Sequence, residues 1–128
     1  MKKQGILNRE LAGIFAQMGH TDQLVIADCG LPIPDGVKCI DLSYTLGKPS
    51  FLDIVKAVTE DFQSEKAIVA NELPQFNEDV FHKLDDHFEL TYMSHEAFKE
   101  QTKHAKVIIR TGEATPYANI ILQSGVIF

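Results

Sequence analysis

The stretch Leu24-Val25-Ile26-Ala27-Asp28-Cys29-Gly30-Leu31-Pro32-Ile33-Pro34 decides the fold. Four consecutive apolar residues suit a strand buried on both faces, as strands are inside parallel sheets. The run stops at Asp28, and Gly30, Pro32, Pro34 and Gly36 mark the next residues as a loop. Upstream, Asn8 reads as a helix N-cap, Leu11, Ile14, Phe15 and Met18 recur at helical spacing, and Gly19 stands where a helix ends.

The same alternation continues downstream. Val37–Leu42 reads as a second strand. Ser50 caps a helix whose buried stripe is Phe51, Ile54, Val55, Val58 and Phe62, and Lys66–Ala70 is a third strand. Asn77 opens a helix with Val80, Phe81 and Leu84 facing inward. Phe88–Met93, a helix over His95–Lys103, and the strand Lys106–Arg110 come next. Tyr117–Phe128 is a sixth strand, bent or paired in a hairpin around Ser124-Gly125, and its apolar end is expected to pack in the core or at a subunit contact. Repeated strand–helix–strand units favour right-handed crossovers. The expected architecture is a single α/β domain over residues 1–128, a three-layer α/β/α sandwich with a mostly parallel central sheet. Such sheets bind ligands at the carboxyl ends of their strands, here Asp28, Ser43-Tyr44, Asn71-Glu72, Ser94-His95 and Thr111-Gly112.

Composition narrows the function. With 12 Lys plus Arg against 18 Asp plus Glu, the chain carries −6 and no basic cluster beyond Lys2-Lys3, which argues against nucleic acid. No apolar run approaches the roughly 20 residues of a membrane span, and the opening lacks the apolar core of a signal peptide, so a cytosolic protein without membrane contact is expected. Cys29 and Cys39 are then free thiols, expected as small buried hydrophobes. Neither glycine-rich phosphate-binding fingerprint occurs, and no histidine or cysteine pair has metal-ligand spacing, so no cofactor and no metal are expected. His82, His87 and His104 read as solvated or structural positions among charged neighbours. No nucleophile elbow is present.

Proton transfer remains, with histidine its natural carrier near neutrality. His20 comes just after a helix end and reads as either a dipole-placed cap or an acid/base. Asp28 reads as either a turn residue capping backbone N–H groups or a ligand-binding carboxylate. His95 starts a helix, exposed or in a site. Tyr117-Ala118-Asn119 is either a loop-to-strand packing unit or a source of the amphoteric hydrogen bonds that sugar hydroxyls need.

Several stretches together resemble one family. Met1-Lys2-Lys3-Gln4-Gly5-Ile6-Leu7-Asn8 with Gly19-His20-Thr21-Asp22 is similar to its opening, and Ile26–Pro34 to its first loop. Ser94-His95-Glu96-Ala97-Phe98-Lys99 and the segment from Ile109 through Thr111-Gly112-Glu113 to Asn119 complete the match. The chain thus resembles the RbsD/FucU family of sugar mutarotases over its whole length, and its opening resembles the ribose-acting branch. The resemblance implies a cofactor-free isomerase that interconverts β-D-ribopyranose and β-D-ribofuranose, with His20 as proton donor and Asp28, His95, Tyr117, Ala118 and Asn119 binding the sugar. It implies a homo-oligomer, a decamer of two pentameric rings with sites at subunit boundaries. Action on another sugar such as L-fucose, or a non-catalytic accessory role in ribose uptake, are the alternatives. Asp28, if close to His20, would favour the imidazolium and raise its pKa. Yet the two are eight residues apart with a strand between them, so joint action requires the chain before the strand to fold back or a neighbouring subunit to close the gap.

Overall fold

Strands that must be buried on both faces align side by side, and the connections between them supply the cover. In the computed structural model, which describes residues 1–128, the elements run α1 (Arg9–Gln17), β1 (Gln23–Ala27), β2 (Lys38–Asp41), α2 (Phe51–Asp61), β3 (Ser64–Ala70), α3 (Leu73–Phe76), α4 (Glu78–Asp85), β4 (Leu90–Met93), α5 (His95–Thr102), β5 (Val107–Arg110) and β6 (Ile120–Ser124). The six strands form one sheet in the order β2-β5-β1-β6-β3-β4. β2, β5 and β1 pair in parallel, as do β3 and β4, whereas β6 lies antiparallel between β1 and β3. The expected mostly parallel sheet flanked by helices is therefore present. No helix is long and apolar enough to cross a membrane.

Strand alternation divides the core. Leu24, Ile26, Ala67, Val69, Val107, Ile109, Ile120 and Leu122 face one side, where they meet Leu11 of α1, Phe51, Val55 and Val58 of α2, Leu73 of α3 and Val80 and Leu84 of α4. Val25, Ala27, Ile68, Ile108 and Ile121 face the other, against Phe98 of α5 and Leu31. The layers are unequal: four helices cover the first face and one the second.

The caps expected at Asn8 and Ser50 are present, and Ser94 supplies a third. Asn8 Oδ1 accepts from the N–H groups of Glu10 and Leu11, Ser50 Oγ from Asp53, and Ser94 Oγ from Ala97. Three features differ from expectation. α3 carries no sequence signal, since one turn of helix is too short to display a periodicity. Cys29 and Cys39 are half-buried and not core residues, and burial together with Asp41 pushes the Cys39 thiol up. The sixth strand forms no hairpin and ends at Ser124. Ile120, Ile121 and Leu122 are core residues, but Val126, Ile127 and Phe128 are exposed by 40%, 89% and 101%. β1 begins at Gln23, opposite Gln123, so past Ser124 that side offers no strand to pair with.

One close approach shapes the carboxyl edge. Gly112, just after β5, packs so tightly on the 44–49 loop that a Cβ would lie 2.4 Å from Lys48 O and 2.5 Å from Lys48 N. Its N–H donates to Pro49 O at 2.9 Å, and its carbonyl accepts from Gly47 at 2.6 Å. Backbone must move to admit even a methyl group. Gly112→Ala is expected to lower stability by about 1–3 kcal/mol, the usual range for overpacking, as read by chemical denaturation at fixed protein concentration.

Candidate active site

Because β1 to β5 all run the same way, their carboxyl ends meet at one edge, and the start of β6 joins them there. A cleft of about 370 Å³ opens at this edge, with Asp28, Leu31, His95, Glu113, Thr115 and Tyr117 in its wall. That volume lies within the range of small-molecule sites. A larger cavity of about 500 Å³ sits between α2 and α4, lined by Leu52, Lys56, Leu84 and Phe88, and holds none of the candidate residues.

The turn-capping reading of Asp28 is seen in its geometry. Oδ1 accepts from the N–H groups of Gly30 (3.0 Å) and Leu31 (2.8 Å), closing the turn. Oδ2 accepts from Asn119 Nδ2 at 3.0 Å, and Asn119 Oδ1 accepts from the Asp28 N–H at 2.8 Å. A carboxylate offers about four lone-pair sites, so one is left for a ligand. Ala118 and Asn119 are fully buried. They lie beneath the cleft, where Asn119 orients Asp28. Arg110 secures the same loop from behind: Nε and Nη2 donate to Cys29 O (3.3 and 3.1 Å) and Nη1 to Asp41 Oδ2 (2.9 Å). The Ser43 hydroxyl first, and Arg110 in addition, hold the Asp41 carboxyl below the usual carboxylate range.

His95 is the first residue of α5. Its N–H donates to the Glu72 carboxylate at 3.0 Å, and its ring stands edge-on to Tyr117 with centroids 5.0 Å apart. Its Nδ1 is buried and meets no hydrogen-bond partner in the chain. Buried polar atoms are almost always paired, and this nitrogen is an exception within the chain. Tyr117 packs on Phe76 as well (5.6 Å) and adopts φ 57°, the left-handed region that bulky residues avoid.

That backbone is held by its surroundings. Asn77 Nδ2 donates to Thr115 Oγ1 and to Pro116 O, both at 2.9 Å. Thr115 donates to Glu113 Oε2 at 2.9 Å, while Glu113 Oε1 accepts the Phe51 N–H of α2 at 3.0 Å. Asn77, expected to open a helix, does so without a side-chain cap hydrogen bond, and its Nδ2 braces this loop instead. Sequence reasoning reaches Glu72 as a strand-end residue but misses the roles of Asn77, Glu113 and Arg110, which arise from contacts distant along the chain.

His20 lies elsewhere. It precedes β1, at the opposite edge from Asp28. There Thr21 N–H donates to Ser124 O (3.0 Å) and His20 Nε2 meets Glu65 Oε2 at 2.9 Å. The chain does not fold back. β1 alone separates the two edges by about 16 Å at the usual strand rise. The His20 side chain is 53% exposed. Within one chain it does not share the cleft, and its carboxylate partner is Glu65, not Asp28.

Known proteins match this chain along its full length. The family model described as the RbsD / FucU transport protein family matches residues 1–127. D-ribose pyranase of Bacillus cytotoxicus is 58% identical, with all of both chains covered. A structure of Bacillus subtilis RbsD complexed with D-ribose is 53% identical, again over all of both chains, with a TM-score of 0.98. A fucose mutarotase in complex with L-fucose from Streptococcus pneumoniae is 24% identical over 99% of this chain and 100% of that one, with a TM-score of 0.80, which shows a shared fold.

The double hydrogen bond between Asn119 and Asp28 is open to direct test. Asn119→Ala strips the half-buried Asp28 N–H of its acceptor and should cost about 1–3 kcal/mol. A denaturation midpoint unchanged from the parent protein would contradict this account of the loop.

Proposed function

The chain belongs to the RbsD / FucU transport protein family, and on that premise we propose that it is an isomerase interconverting the pyranose and furanose rings of D-ribose by cofactor-independent acid–base chemistry. One observation carries the reading. The carboxyl-edge cleft gathers Asp28, His95 and Tyr117 in one wall, in a chain matched end to end by a ribose-complexed protein and by D-ribose pyranases. Asp28, His95 and the Tyr117-Ala118-Asn119 segment bind the sugar, Asn119 by way of Asp28.

The chemistry asks little of the protein. Ring opening removes the proton from the anomeric hydroxyl, breaks the bond from the anomeric carbon to the ring oxygen, and delivers a proton to that oxygen. Reclosure through a different hydroxyl runs the same transfers in reverse. General acid–base catalysis contributes roughly 10²–10⁴-fold, and the uncatalysed reaction already proceeds in water. In this reading His20 donates to the ring oxygen and later accepts from the attacking hydroxyl.

A second copy of the chain brings His20 to the cleft. The edge bearing His20 and the edge bearing Asp28 are opposite on one molecule, so the contact that joins them is head-to-tail, and such contacts generate rings when the rotation closes. Two pentameric rings are the assembly that the family resemblance implies. The exposed Val126-Ile127-Phe128 segment, next to the His20 edge, fits a role in that contact. Action on L-fucose is the weaker reading, since the fucose mutarotase is 24% identical against 58% for the pyranase.

Saturation-transfer NMR on ribose, tracking exchange between pyranose and furanose signals, tests the activity. His20→Ala should abolish catalysed exchange while ribose still binds; undiminished exchange would remove His20 as the acid, and only a lack of catalysed exchange in the wild-type protein would leave a sugar-binding accessory. Equal amounts of His20→Ala and His95→Ala chains, refolded together, should regain about a quarter of wild-type exchange, because each site draws the two groups from different copies. No recovery would place both groups in one chain's site. Removing Val126–Phe128 should give a smaller assembly by light scattering, and an unchanged mass would count against the tail as a contact.

A further inference from the structure

Glu65 sits where strand alternation alone would not put it. Ala67 and Val69 of β3 face the four-helix layer, so parity assigns Glu65 to that face too. The pairing of β3 with β6 slips at this point: Ser64 is opposite Ser124 and Lys66 opposite Gln123, leaving Glu65 as the extra residue of a β-bulge. The bulge turns its carboxylate to the other face, where Oε1 accepts from Gln123 Nε2 and Oε2 meets His20 Nε2, both at 2.9 Å. Bulges of this kind re-aim side chains beside active sites.

The carboxylate ends an aligned row of amides. Gln101 Nε2 of α5 donates to Gln23 Oε1 at 2.9 Å, Gln23 Nε2 to Gln123 Oε1 at 3.3 Å, and Gln123 Nε2 to Glu65. Every bond points the same way, toward the negative charge, the arrangement in which successive hydrogen bonds polarise one another. The histidine is fixed from its backbone as well. Thr21, beside it, is β-branched yet holds φ 71°, pinned by its N–H to Ser124 O. Strained backbone of this sort gathers at functional sites. Asp22, the other carboxylate nearby, is occupied by the Gly19 N–H (2.9 Å) and lies 4.0 Å from Lys106 Nζ. Glu65 is the carboxylate at the His20 ring.

We infer that Glu65 is a positioning residue for His20: delivered by the β-bulge and steadied by the glutamine row, it fixes which ring nitrogen exchanges protons with the sugar. The inference rests on the reading of His20 as the acid. An ionised carboxylate only accepts, so Nε2 must keep its hydrogen. Nδ1 is then the working nitrogen: protonated, it donates to the sugar's ring oxygen; bare, it takes the proton of the closing hydroxyl. Nε2–H and the Glu65 carboxylate are unchanged through the cycle. Hydrogen bonds from Gln123, first, and His20 hold the Glu65 carboxyl below the usual carboxylate range, which keeps it an acceptor.

The test pairs kinetics with ¹⁵N NMR of the His20 ring in the full chain. Glu65→Gln, isosteric but able to donate to Nε2, should shift the neutral ring toward the Nδ1-protonated form. It should lower kcat by about 10-fold, a share of what acid–base catalysis supplies, with KM nearly unchanged; Gln123→Leu should do the same more weakly. Because Glu65 and His20 belong to one chain, the ring signals report the pair even in a variant that fails to assemble. Unchanged ring signals in Glu65→Gln overturn the inference whatever the rate does, as does an unchanged kcat. In either case the function proposed above survives if His20→Ala still abolishes exchange. Exchange that persists in His20→Ala removes the premise itself.

Discussion

One antiparallel strand governs both ends of this molecule. β6 runs against the other five strands and lies between β1 and β3. Its beginning therefore sits beside the end of β1, where Asn119 grips Asp28, and its end sits beside the start of β3, where Gln123 grips Glu65. A parallel β6 would bring neither amide to its carboxylate. The strand is fully buried through Ile120, Ile121 and Leu122, so the two edges are tied together through the core.

The sheet's direction also sets the reach of each side chain. The groups suited to hold a sugar gather where parallel strands finish. The histidine suited to move a proton stands where they start. A single strand's length keeps these apart, so chemistry that needs both calls for a second molecule. The unequal layers bear on the same point, for the face covered only by α5 carries the glutamine row and the re-aimed Glu65.

Much of this is legible in the chain. The run Leu24–Ala27 and the periodic stripes around Phe51 and Val80 specify strands and helices through burial alone, and the capping residues Asn8 and Ser50 act as their sequence positions suggest. The rule that ligands bind at strand carboxyl ends leads to Asp28, Glu72 and His95 from topology alone. Pairings between distant residues are not legible. Nothing local marks Asn77 as the support of the loop at Tyr117, 40 positions on. Nothing marks Glu65 as a bulge, because a one-residue slip in pairing depends on the partner strand. The apolar ending at Val126–Phe128 has the composition of core, yet no neighbouring strand extends far enough to receive it.

The backbone at Tyr117 shows where stability and use diverge. A left-handed conformation at a bulky residue costs on the order of 1–3 kcal/mol, and glycine there would relieve it. Glycine would also remove the ring that stands against His95 and Phe76. The chain therefore carries a permanent local tension in exchange for an aromatic wall, and any search for a hardier variant of this protein would be drawn first to the substitution that dismantles its pocket.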